Sequence, residues 1–178
     1  MKAILPAIVL CSLNEALLSD RSDSGFTTAC CVRIRTSGNF TVANAGHIAP
    51  YLATAGSIGP IRTAETGTSR ELETPPALPL GLAPDQTYET ISGRLLPGQR
   101  LVLLSDGIPE ARSHKGELYG FDRLTTLTLK PAAEIARTAQ AFGQDDDITV
   151  LTIAALIPTT IQPPPPPPPR PAPPPPRA

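Results

Sequence analysis

Leu101-Val102-Leu103-Leu104-Ser105-Asp106-Gly107 and Asp145-Asp146-Asp147-Ile148-Thr149-Val150-Leu151 decide how this chain is read. In the first stretch an apolar run closes on an acid; in the second, acids open one. Short apolar runs bounded by turn residues read as strands. Antiparallel strands of those polarities place Asp106 and Asp146 at the same end of one sheet. Carboxylates held there are half of a hard-metal site, offering oxygen ligands suited to magnesium or manganese.

Each signal taken singly has a plainer reading. Asp-Gly after a strand is usually a turn, since both residues suit turn conformations. Three acids before a strand usually form a solvated cap. A lone His in a Gly-rich stretch, such as His47, is more often a hydrogen-bonded structural residue than a ligand. Their joint order along the chain is what carries weight.

Composition separates a domain from a tail. Of 23 prolines, 12 lie between Pro163 and Pro176, so residues 159–178 read as an extended polyproline tail without a core. Such a tail is a spacer or a ligand for a proline-binding module. Residues 1–158 form the domain. Arg170 and Arg177 are the only charges of the tail, which leaves 13 basic and 16 acidic residues before it. A mildly acidic, aromatic-poor body lacks the basic stripe and stacking platforms of a nucleic-acid surface. Cys11, Cys30 and Cys31 form no disulfide framework, and neighbours on a strand face opposite ways, so reduced thiols in a cytoplasmic protein are expected. No run is long enough to span a membrane. The apolar stretch from Ala3 lacks a small-residue cleavage site and continues with Leu10, Leu13, Leu17 and Leu18 at helical spacing. It predicts a packed helix rather than a signal peptide.

Thr28–Arg35 alternates, with Cys30, Val32 and Ile34 on one face, and Ser37-Gly38-Asn39 returns the chain through Phe40–Ala43 as a hairpin. Tyr51-Leu52, Thr87–Leu95 and Arg100–Ser105 are further strand candidates, the last two joined by Leu96-Pro97-Gly98-Gln99. Thr54–Pro84 predicts loops with only short strands. Pro109–Arg112 predicts a helical turn and Phe121–Thr128 a short helix. Ala132–Phe142 predicts a helix with Ile135, Ala136 and Ala139 on one face, and Ile148–Ile157 a central strand. This order points to an α+β sandwich, helices packed on antiparallel sheets.

Several short motifs occur in succession: Asn44-Ala45-Gly46-His47, Leu80-Gly81-Leu82, Leu96-Pro97-Gly98 and Ser105-Asp106-Gly107-Ile108-Pro109-Glu110-Ala111. Gly116-Glu117-Leu118-Tyr119-Gly120-Phe121 and Asp146-Asp147-Ile148-Thr149 follow. The succession resembles the C-terminal part of the SpoIIE-like bacterial branch of the type-2C (PPM) metal-dependent serine/threonine protein phosphatases, over about Leu13 to Leu151. The resemblance implies an N-terminally truncated α-β-β-α sandwich with a pair of Mn²⁺ or Mg²⁺ ions at one end of the sheets. It assigns Asp106 and Asp146 as metal ligands. Gly107 belongs to the Asp-Gly motif, and Asp147 orients the ligand beside it or caps the strand. Asn44, Gly46 and His47 form a structural segment near the site; Asp145 receives no role.

The implied chemistry is hydrolysis of phosphoserine or phosphothreonine by a metal-activated water, with no covalent phosphoenzyme. The implied partner is a phosphorylated regulatory protein such as an anti-sigma-factor antagonist. Two family features are missing from the sequence: an earlier strand ending in Gly-Asp, whose Asp bridges both metals, and a Gly-His-Gly-type segment whose Gly carbonyl is a ligand. Asp20-Arg21-Ser22-Asp23 does not replace them, having neither the strand nor the Gly. The expectation is therefore weak or no activity from this chain alone, with sheet edges and apolar faces left uncovered. The alternative is a non-catalytic interaction module with a degenerate phosphatase fold and a polyproline arm.

Overall fold

The computed structural model describes residues 5–20, 25–54 and 67–155. The polyproline tail lies outside the described residues, as do Asp23 and residues 55–66 of the expected loop stretch Thr54–Pro84.

Pro6 opens helix α1 (Pro6–Ser19), where its fixed φ and missing N–H cost nothing. The buried stripe is Pro6, Leu10 and Asn14, spaced four apart. The leucine spacing predicted Leu10, Leu13, Leu17 and Leu18 as the packed face. Only Leu10 is inside; the other three are exposed. Asn14 holds the inner position because a neighbouring turn needs its amide. Its side-chain nitrogen donates to the Ala83 carbonyl at 3.0 Å, and its oxygen accepts from the Gly81 N–H at 2.9 Å. Leu80-Gly81-Leu82 is thus a turn stapled to α1, with Gly81 at φ +84°.

Among the described residues, seven strands form two sheets in which all neighbours are antiparallel. β1 (Ala29–Ile34), β2 (Asn39–Ala45) and β5 (Thr90–Arg94) make one, in the order β1-β2-β5. β4 (Thr68–Glu71), β3 (Tyr51–Thr54), β6 (Gln99–Leu104) and β7 (Val150–Ala154) make the other, in the order β4-β3-β6-β7. The expected hairpin is β1–β2, with Val32 opposite Val42 and Ile34 opposite Phe40. The Pro97-Gly98 turn does not fold β5 onto β6; it carries the chain from one sheet to the other. The short helix after Phe121 narrows to α2 (Leu124–Leu127), while α3 spans Ala132–Phe142 with Ile135 and Ala139 buried.

Three apolar layers hold four structural layers together. Leu10 meets Ala43, Ala45, Leu80 and Tyr88 between α1 and the outer face of the three-stranded sheet. Phe40, Val42, Leu72, Leu95 and Leu101 fill the space between the sheets, joined by Cys30 and Val32. Tyr51, Ala53, Val102 and Leu104 pack on Leu124, Leu127, Ile135 and Ala139 from α2 and α3. Alternation along β6 sends Leu101 to one side and Val102 to the other, as a strand covered on both faces requires. The architecture is an α-β-β-α sandwich. Cys30 and Cys31 face different layers, as adjacent strand residues must.

A second expectation is corrected. The apolar run Ile148–Ile157 was expected as a central strand, but β7 is an edge of its sheet among the described residues. Leu151, pointing into the space between the sheets, remains 53% exposed. Apolarity reports that both faces are covered by something; it does not report which strands pair at the sides.

Candidate active site

β6 and β7 pair with Leu104 opposite Val150, so the loop leaving β6 and the loop entering β7 lie at one end of the sheet. Ser105 joins them. Its N–H donates to the Thr149 carbonyl at 3.0 Å, its hydroxyl donates to the Asp147 carbonyl at 3.0 Å, and its oxygen accepts from the Thr149 N–H at 2.8 Å. Beyond it the chain turns tightly: the Ile108 N–H bonds the Ser105 carbonyl and the Glu110 N–H bonds the Asp106 carbonyl. Gly107 is buried at the centre of this contact. A Cβ there would run into the carbonyl of Asp147 and approach that of Asp146 at 3.4 Å. The Asp-Gly turn therefore lies directly on the backbone of the Asp-Asp turn.

Both Asp106 and Asp146 are exposed, so their carboxylates open to solvent beside one another's loops. The Asp146 carboxylate accepts the Asp147 N–H at 2.7 Å, and its carbonyl accepts the Gln144 side-chain amide at 3.0 Å. Gln144–Asp147 line a shallow hollow of about 280 Å³. Asp145 turns instead to Arg112, 3.7 Å away, in an exposed pair of little energetic value.

Asn44, Gly46 and His47 form a closed loop at the end of β2. The buried Asn44 side chain accepts the His47 N–H at 2.9 Å and donates to the His47 carbonyl at 2.8 Å and the Thr74 hydroxyl at 3.2 Å. Gly46 sits at φ +69° against Pro79, where a side chain has neither conformation nor space. The His47 ring nitrogen Nδ1 meets the Thr28 hydroxyl at 3.2 Å. This segment leads into β3, whose Tyr51 lies opposite Val102, so it enters at the same sheet end as Ser105 and Asp106. Beside it is a cleft of about 410 Å³ lined by His47, Ile48, Glu71, Thr74, Pro76 and Phe121, among others. Glu71 and Thr74 were not singled out from the sequence. They come from the far side of β3, and no local pattern marks them.

The donor chemistry of Asp106 and Asp146 suits a hard divalent cation, and their exposure leaves both carboxylates available. The number of donors does not close a two-cation site. Among the described residues no group of three or more His, Cys, Asp or Glu side chains is arranged to hold a metal. No helix among them is long and apolar enough to cross a membrane.

Solved structures share this architecture. The SiaA-PP2C domain of Pseudomonas aeruginosa superposes with a TM-score of 0.63 at 23% identity, covering 84% of this chain and 61% of that one. The RsbU and RsbW domains of Rv1364c from Mycobacterium tuberculosis give 0.61 at 22%, covering 84% and 42%. The PP2C phosphatase domain of SpoIIE from Bacillus subtilis, solved with a fragment of its regulatory domain, gives 0.60 at 18%, covering 84% and 45%. The chain thus spans less than two thirds of the length of each. No match was found among curated proteins. These likenesses establish the PP2C fold. The family model described as Stage II sporulation protein E (SpoIIE) matches residues 2–155, nearly all of the chain ahead of the polyproline tail, and the chain belongs to that family of PP2C-type phosphatase domains.

Proposed function

We propose that this chain is the metal-ligating C-terminal part of a Mn²⁺- or Mg²⁺-dependent phosphoserine/phosphothreonine phosphatase domain, weakly active or inactive on its own. One observation carries the reading: Gly107 packs on the Asp146–Asp147 backbone, which puts two exposed carboxylates on contacting, hydrogen-bonded loops. A divalent cation, when bound, would lower the pKa of water and offset phosphate charge. Asp106 and Asp146 would hold it through carboxylate oxygens. Ser105 and Gly107 fix the spacing of the two loops. Asn44 keeps the His47 loop closed beside the cleft, which supplies His47, Thr74 and Phe121 for contact with a phosphorylated polypeptide. The substrate class is a phosphorylated regulatory protein of the anti-sigma-antagonist kind. The likeness to RsbU and RsbW domains supports that class.

The test is manganese-dependent hydrolysis of a phosphoserine peptide by the purified chain, alongside calorimetric titration with manganese. Slow hydrolysis and weak binding are expected, both lost in Asp106→Asn and Asp146→Asn and both kept in Asp145→Asn. No hydrolysis at saturating manganese, together with unchanged manganese binding in Asp106→Asn, would overturn the reading.

A further inference from the structure

The cleft beside the His47 loop lies at the β4 edge of the four-stranded sheet, the edge opposite β7. Its walls differ in chemistry. Ile48, Pro75, Pro76 and the ring of Phe121, which is 59% exposed, are apolar, while Glu71 brings a carboxylate. Glu71 is the one acid of the lining, and no Lys or Arg lines the cleft. It is exposed, and no Lys or Arg among the described residues forms an ion pair with it. The walls are held in place before anything binds. Asn44, which closes the His47 loop, donates to the Thr74 hydroxyl at 3.2 Å, and Pro75-Pro76 fix the backbone beyond it. A groove ordered in advance loses little freedom on binding.

Strand register sets the distance from this cleft to the acidic loops. Glu71 stands opposite Tyr51, and Tyr51 opposite Val102. Two strand spacings put Glu71 about 10 Å to the side of β6. Ser105 follows Val102 by three residues, or about 10 Å along the strand. Glu71 therefore stands about 14 Å from the start of the Asp106 turn, a span that an extended polypeptide crosses in about four residues.

We propose, resting on the phosphatase reading, that this cleft selects the substrate polypeptide by a basic residue about three to five positions from its phosphoserine. A Lys or Arg side chain matches both walls at once. Its aliphatic stem lies on Phe121 and the prolines, and its cation meets Glu71. Glu71 and Phe121 are thus specificity-determining residues, set apart from the carboxylates that hold the cation.

The test reads binding rather than turnover, so that it can fail separately from the phosphatase reading. Labelled phosphoserine peptides with a single lysine, walked along both sides of the phosphoserine on a neutral background, are titrated with the full chain at low salt, with and without manganese. The tightest binding is expected with lysine about four residues away. The gain over glutamine at the same position should be about threefold to fivefold, as one partly exposed ion pair supplies, and should vanish at high salt. Glu71→Lys should reverse the preference towards glutamate at that position, a reversal that damage to the fold does not produce. Should that variant fail to fold, the lysine walk on the unmodified chain decides alone. No binding of any peptide, no preference for lysine at any position, or a lysine preference that Glu71→Lys leaves in place would overturn the proposal. So would tighter binding of a peptide copying residues 163–178 than of every lysine peptide, since the cleft would then serve the chain's own tail. A lysine preference reversed by Glu71→Lys, with no effect of manganese or of Asp106→Asn on phosphoserine binding, would support the cleft assignment and count against the phosphatase reading alone.

Discussion

Gly107 and Asp147 meet backbone to backbone: a single carbon added to Gly107 would overlap the Asp147 carbonyl. The glycine of the Asp-Gly motif is required by this close approach, because its φ is not among the positive ones. Gly107→Ala must separate the two acidic loops or shift β7. Overpacking of this kind costs about 1–3 kcal/mol. A lower midpoint of chemical denaturation is expected, and manganese binding should weaken further than stability alone explains. An alanine variant with unchanged stability would show that the loops part without cost.

Ser105 stitches the same loops through its side chain, donating to the Asp147 carbonyl and accepting the Thr149 N–H. Ser105→Ala removes both bonds and leaves a backbone donor and an acceptor to find water at a partly exposed site. A loss of about 1–2 kcal/mol is expected. Ser105→Thr keeps the hydroxyl and should recover most of it. Equilibrium unfolding of the pair of variants checks the ordering.

The meeting of these loops was legible because it depends on local signs alone: an apolar run, an acid at its end, and the reverse order later. α3 was equally legible, from its composition and the apolar face of Ile135, Ala136 and Ala139, and its bounds coincide with the expected Ala132–Phe142. What resisted reading was non-local. The edge position of β7 depends on which strands stand beside it, and Val150–Ala154 contains nothing that says so. The inner position of Asn14 depends on a turn some seventy residues away, against which leucine periodicity is a poor guide. Glu71 and Thr74 reach the cleft only because β4 pairs with β3. The Asn-x-Gly-His segment could be seen as a motif, but its closed hydrogen-bond ring could not.

Asn44 offers the sharpest test of that ring. Buried and engaged by three hydrogen bonds, it holds both the N–H and the carbonyl of His47. Asn44→Ala strands these groups in a partly buried setting and should cost about 2–3 kcal/mol. Asn44→Asp keeps the acceptor for the His47 N–H, loses both donors and sets a charge against the His47 carbonyl, so at neutral pH it should rescue nothing. Thermal melts of the three proteins distinguish this from a simple volume effect, under which aspartate would behave like asparagine.

Cys30 supplies a pH dependence. Burial between the sheets, with a smaller contribution from Cys31 alongside, pushes its thiol from the ordinary 9.0 up to about 11. The sign follows from proton counting. Below pH 9 the thiol is protonated in both states, and its full contribution to stability is present. Between 9 and about 11 the unfolded chain releases a proton that the folded chain keeps, so stability falls as pH rises; above about 11 the loss is complete. With the thiol only partly buried, solvent screening holds the effect to no more than about 2 kcal/mol. Other groups titrate in the same range, including Cys31 and Tyr51, both raised by burial. The informative quantity is therefore the difference between the unmodified chain and Cys30→Ala. The variant is expected to start less stable at pH 8 and to lose less on going to pH 11. Parallel stability curves would show that the folded state does not hold the Cys30 proton.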